Sequence, residues 1–172
     1  MAILSIITAP DPRLKRKSEP VERVDAALRK LLDDMLETMY DAPGYGLAAI
    51  QVGVAKQAIV IDIAPKDTPR QPLYLVNPRI VAASEDLVVG QEGCLSLPDQ
   101  FVDIERPRQI TVRHLDYAGA EREFTAEGLL AVCVQHEMDH LTGTLLLDLV
   151  SPVKRDMLLR KLLKARRSKA AG

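Results

Sequence analysis

From Val24 to Ala42 the apolar residues Leu28, Leu31, Leu32, Met35, Leu36 and Met39 recur at helical spacing. The pattern predicts an amphipathic helix that stops at Pro43-Gly44-Tyr45-Gly46, a helix-breaking run. Ala58 to Ile63 is a short apolar run of the kind that forms a buried strand. Leu73–Val76, Ile80–Ala83, Asp86–Val89, Val102–Glu105, Ile110–Leu115 and Arg122–Phe124 continue as strands with turn signals between them. Helical periodicity returns from Gly128 to Leu141. Ser151-Pro152 then forms a cap and first-turn pair for a last helix. Met157, Leu158, Leu159 and Leu162 supply the apolar stripe of that helix. Met1–Thr8 is mostly apolar, lacks a basic start and runs into Ala9-Pro10-Asp11-Pro12, so it reads as an opening strand and loop, not a signal peptide. Strands segregated from helices predict an α+β fold: mainly antiparallel sheets around a central helix, with a C-terminal helix. No repeat or low-complexity linker divides the chain, so residues 1–172 are read as a single domain.

Composition narrows this picture only a little. A chain of 172 residues can bury a sizeable core, and no run is long and apolar enough to span a membrane. With no secretory signal, the two cysteines, Cys94 and Cys133, point to a reducing, cytoplasmic compartment rather than a disulfide framework. The formal charge of -1 is unevenly spread. Lys154 to Lys169 holds eight basic residues against one acid, a net +7, which leaves -8 on the remainder. The basic C-terminal helix, 151–169, is therefore a candidate for contact with an anionic partner such as nucleic acid. No large exposed apolar patch is evident, which favours a monomer.

Within the Gly128–Leu141 run lies Gln135-His136-Glu137-Met138-Asp139-His140, an H-E-x-x-H motif. Residues four apart on a helix share a face, so His136 and His140 can present two imidazoles to one metal ion. Glu137 follows the first ligand and can serve as general base toward a metal-activated water. A catalytic site of this type takes three protein ligands. Cys133, Cys94, His114 and a distant carboxylate are the candidates for the third. Cys133 lies roughly 7 to 8 Å along the helix axis from the point between the histidines, too far for a cysteine, and reads as a small buried hydrophobe. Strand alternation does not direct His114 to the site. Cys94 in Glu92-Gly93-Cys94-Leu95-Ser96 would complete an S,N,N set, with Gly93 allowing close backbone approach. Glu92, a charge beside the ligand, is expected to pair with Arg106.

The chain resembles the peptide deformylases over nearly its whole length. Three motifs carry the likeness: Gly44-Tyr45-Gly46-Leu47-Ala48-Ala49-Ile50-Gln51 for G-x-G-L-A-A-x-Q, Glu92-Gly93-Cys94-Leu95-Ser96 for E-G-C-L-S, and Gln135 to His140 for Q-H-E-x-D-H. The resemblance implies one divalent metal on Cys94, His136 and His140, with Fe(II) native and Zn, Ni or Co able to replace it. It implies removal of the formyl group from the initiator methionine of nascent formyl-methionyl peptides, with Glu137 as base. The Gln51 side-chain amide and the Leu95 backbone N–H would meet the charge on the formyl oxygen. Tyr45, Gly46 and Gly93 would lie along the peptide backbone, while Leu129, Val132 and Cys133 would form the methionine pocket. It also implies docking of the basic C-terminal helix on the ribosome. An H-E-x-x-H zinc peptidase shares only the third motif. A noncatalytic, ribosome-associated metal-binding protein would need a fourth protein ligand to close its site.

Overall fold

The computed structural model describes residues 1–171. Helix α1 is Ala26–Asp41, close to the span predicted by periodicity, and Asp25 caps it by accepting from Leu28 N at 2.9 Å. Seven strands follow in two sheets. Strands β1 (Gly46–Ala48), β2 (Ala58–Ile61), β3 (Leu73–Ala83), β6 (Gln109–Leu115) and β7 (Glu121–Glu127) form one sheet in the order β1-β2-β3-β6-β7. Strands β4 (Leu87–Cys94) and β5 (Leu97–Pro107) pair alone. All these pairings are antiparallel. Helix α2 is Gly128–Leu141, as its period predicted, and α3 is Pro152–Ala171. Ser151 Oγ accepts from Lys154 N at 3.2 Å, the cap expected at that end.

Both faces of the larger sheet are covered. Leu47, Ala58, Val60 and Val76 pack with Leu28, Leu32, Met35 and Met39 of α1. Their neighbours in sequence, Ala48, Ile59, Ile61 and Leu75, pack with Ala131, Val134 and Leu141 of α2. Alternation therefore sends successive residues into opposite cores, and the four residues of β2 are all buried. A third core joins Leu97, Val102 and Ile104 of β5 to Leu158 and Leu162 of α3.

Four sequence expectations change. Met1–Thr8 forms no strand. Its backbone donors are taken singly instead, Ala2 N by Asp34 Oδ1 at 2.8 Å, Leu4 N by Thr38 Oγ1 at 2.9 Å and Ile7 N by Gln51 O at 2.7 Å. The two runs around Asn77-Pro78 belong to one strand, β3, kinked where Asn77 has a φ of 49° and its side-chain amide pairs with the backbone of Val21. Strands β4 and β5 extend well beyond their apolar runs, because their outward positions face solvent. On α3, Leu158 and Leu162 are buried and Leu159 packs at the edge, but Met157 is 39% exposed and leaves the stripe.

Candidate metal centre

Helix α2 begins directly after β7 and presses its apolar residues onto the sheet, which leaves its other buried face toward the β4–β5 hairpin. His136 and His140 stand one turn apart on that face, ring centroids 5.2 Å apart and edge-on. Cys94 ends β4 at the point where the ladder with β5 changes register, and its Sγ lies 3.6 Å from His140 Nε2. One ligand atom from each of Cys94, His136 and His140 falls within 4.8 Å of the others. This is a sulfur and two nitrogens converging on one point, with room left for a non-protein ligand, and it fits a catalytic ion of the zinc or iron(II) kind. The histidine and cysteine readings of the sequence thus converge in space, and the candidates His114 and Cys133 separate from them. His114 is buried on β6, with Nδ1 3.0 Å from Leu115 O and its ring edge-on to Phe124. Cys133 lines the wall of the cleft, its thiol pushed up to about 12 by burial and then by the charge of Glu137.

Behind the ligands lies a buried charge network. His136 Nδ1 sits 3.2 Å from Glu92 Oε1, which leaves Nε2 for the centre. Arg106 grips both oxygens of Glu92, at 2.6 and 2.8 Å, and reaches Asp139 at 3.0 Å. The expected Glu92–Arg106 pair is therefore present, and Asp139 is a partner that sequence reasoning missed. Burial alone would raise the Glu92 carboxyl, but hydrogen bonds from His136 and Arg106 hold it below its ordinary range. Burial pushes His140 down to about 3, assisted by repulsion from His136, which keeps this imidazole neutral as ligation requires. His136 is drawn the other way: bonds to Cys94 and Glu92 overcome burial and raise it, so an ion here displaces a proton.

Glu137 is buried beside the ligands, Oε1 3.9 Å from His136 Nε2, and burial pushes its carboxyl up to about 7. Its Oε2 has no hydrogen-bond partner among the described residues. A buried carboxylate oxygen without a partner is costly and marks a group kept for chemistry. Gly46 accounts for the space: a Cβ there would stand 2.7 Å from Glu137 Oε1. Gln51 lies in a turn of 3-10 helix after β1, fully buried. Its Oε1 accepts from Ala48 N at 2.9 Å, and its Nε2 is 3.0 Å from Ser96 Oγ and 3.7 Å from Cys94 Sγ.

These groups form the floor of a cleft of about 610 Å³. Tyr45, Gly46, Gly93, Cys94, Leu95, Leu129, Val132, Cys133, His136 and Glu137 line it, so every residue assigned to the peptide or the methionine pocket borders the same space. At its rim a Cβ on Gly93 would meet the exposed Phe101 ring at 2.7 Å, so the ring would have to shift. Gln51 and His140 reach the centre from behind its walls. Ser96 went unassigned in the sequence although it stands in the second motif.

Comparison with known proteins agrees with this geometry. The family model described as Polypeptide deformylase matches residues 3–156. A peptide deformylase of Rhizobium meliloti (strain 1021) is 52% identical over 99% of this chain and 98% of its own length. The crystal structure of peptide deformylase from Ehrlichia chaffeensis superposes with a TM-score of 0.94 at 45% identity, covering 98% of this chain and 99% of that one. A structure of the Ehrlichia chaffeensis enzyme in complex with actinonin gives a TM-score of 0.93 at 47% identity, over 97% and 99% of the two chains.

Proposed function

The chain belongs to the polypeptide deformylase family, and from that premise we propose that its cleft hydrolyses the formyl group from formyl-methionyl amino termini, releasing formate. The observation that carries this reading is the convergence of three ligand atoms within 4.8 Å beside a buried, half-unpartnered carboxylate. Cys94, His136 and His140 hold one divalent ion. Fe(II) is the native metal, and Zn, Ni or Co can take its place, since thiolate and imidazole suit all of them. When bound, the ion supplies Lewis acidity toward a water and the formyl oxygen.

The protein's own groups do the rest. Leu129, Val132 and Cys133 enclose the methionine side chain, and the backbone beside Tyr45, Gly46 and Gly93 aligns the peptide. Glu137 takes a proton from the attacking water. With a pKa lifted toward neutrality by burial, it can also return that proton to the leaving amine. Negative charge growing on the formyl oxygen is met by Gln51 Nε2 and the Leu95 N–H, donors fixed in advance by the fold. The glutamate thus moves one proton between two stations while the amides stay still.

Its substrates are nascent chains in the cytoplasm, and the protein acts as a monomer and one domain. Leu158 and Leu162 tie down one side of α3, while Arg155, Arg160, Lys161, Lys164, Arg166 and Arg167 remain exposed. That basic surface suits the ribosome, and co-sedimentation with ribosomes that weakens as salt rises tests the contact. The reading as a whole is tested by formate release from a short formyl-methionyl peptide, with protein loaded anaerobically with Fe(II). Turnover should cease on chelation and return with metal. A metal-loaded protein without turnover overturns the reading. Exposure to air should inactivate the iron form, because the ion and the Cys94 sulfur are both oxidisable.

A further inference from the structure

The motif Glu92–Ser96 is only partly used by the site as described. Glu92 holds His136, Gly93 borders the cleft, Cys94 supplies sulfur and Leu95 an amide. Ser96 is 1% exposed and has no part so far. Its hydroxyl has one hydrogen and two lone pairs. The hydrogen goes to Ile7 O at 2.7 Å. Toward Gln51 Nε2, 3.0 Å away, Ser96 Oγ can therefore only accept. At the other end of the amide, Gln51 Oε1 faces Ala48 N, which can only donate. Both ends are thus determined, and the amide has one orientation. An amide nitrogen carries two hydrogens. One is given to Ser96, which directs the other toward the Cys94 side, where Nε2 is 3.7 Å from Sγ.

We propose that Ser96 is a positioning residue for the hydrolysis. Its hydroxyl, oriented by the Ile7 carbonyl, fixes the plane of the Gln51 amide so that the second N–H points at the formyl oxygen as it gains charge. The inference rests on the role given to Gln51 above. The N-terminal segment is then a brace: Ile7 N donates to Gln51 O at 2.7 Å and Ala9 N to Ser96 O at 2.8 Å, so both residues are held by backbone and side chain alike.

The test is a double-mutant cycle with Ser96→Ala and Gln51→Met, the latter keeping side-chain length without donors. Ser96→Ala should lower kcat roughly tenfold, less than the 10²–10³-fold that outright loss of such a donor costs. KM and bound metal should not change, because the interaction is made only in the transition state. In the Gln51→Met background Ser96→Ala should cost nothing more. A further tenfold loss there overturns the proposal, since Ser96 would then act without Gln51. A second readout needs no substrate. In zinc-loaded, 15N-labelled protein, the Gln51 side-chain amide resonances are identified by their loss in Gln51→Met. Ser96→Ala should shift one of the two protons and speed its exchange with solvent. Unmoved resonances overturn the proposal. Absence of formate release by the wild-type protein would count against the deformylase reading and leave the amide measurement standing.

Discussion

The two sides of the metal centre are built differently. On one side, a single helix, α2, carries His136, Glu137 and His140 within five positions, and the helical repeat sets their spacing. On the other, Cys94, Gln51 and Ser96 come from a strand end, a 3-10 turn and a hairpin turn. Hydrogen bonds with Ala48, Ile7 and Ala9 hold Gln51 and Ser96, partners as many as 89 residues apart in sequence. The helix side is made of local geometry and the loop side of long-range geometry. Substitutions at His136, Glu137 and His140 should therefore change the chemistry of the site, and those opposite, the ligand Cys94 aside, should change its alignment or its stability.

Glu137→Ala is the strongest test of the first half of that statement. Removing the proposed base should lower kcat by about 10²–10⁴-fold. The three ligands are untouched, so metal content should equal that of wild type. Formate release and metal analysis on one sample decide the matter. Full activity would remove Glu137 from the mechanism.

Gly46→Ala probes the opposite wall through the same glutamate. The new methyl would stand 2.7 Å from Glu137 Oε1 and 2.9 Å from its Cγ, so the carboxylate must move. A misplacement of about 1 Å can cost 10²-fold, and a kcat loss of that order with metal retained is expected. Activity equal to wild type would show that strand β1, not the glutamate, gives way.

Arg106→Ala acts behind the helix, on stability. Glu92 would be left buried with a single partner, His136. Removing one member of a buried pair costs about 3–5 kcal/mol, and loss of the outer partner should weaken metal retention 10–100-fold. The sign with pH follows from the depressed Glu92 carboxyl. Its stabilisation is present above the carboxyl's unfolded pKa and is lost as pH falls through the lower folded value. In the variant, burial would dominate and raise that pKa, so acid unfolding should begin at higher pH. Urea melts across the acid range measure this, and coincident curves would dismiss the network.

The same contrast governs what could be read from the sequence. Helix α2 and its two histidines were legible because period and spacing are local properties. Cys94 could be singled out because few sulfur or nitrogen donors were available and geometry removed Cys133. Glu92, a charge beside Cys94, was expected to need a basic partner, and the nominated Arg106 is the residue that grips it. Asp139 and Ser96 stood in quoted motifs, yet no local rule reveals that one completes the Arg106 network and the other accepts from Gln51. Met1–Thr8 misled for a related reason. Its apolar pattern suits a strand, but α1 and the 3-10 turn at Gln51 offer its backbone only isolated acceptors, so no ladder forms. Strand β1 was missed because three residues cannot display a period.

Cys133→Ala should have the smallest effect and draws the comparison most finely, since Cys133 shares α2 with the ligands and yet faces the cleft wall. Its thiol, held neutral by burial, is a poor donor for a cation and a good neighbour for an apolar side chain. Trimming it removes about one heavy atom of contact, worth roughly 1 kcal/mol. At about 1.4 kcal/mol per tenfold, KM for a formyl-methionyl peptide should rise by roughly fivefold. Metal content should stay whole and kcat nearly so. Cys94→Ala, by contrast, should empty the site of metal. If the two variants exchanged phenotypes, the third ligand would lie on the helix after all, and the loop side of the centre would lose its claim to the metal.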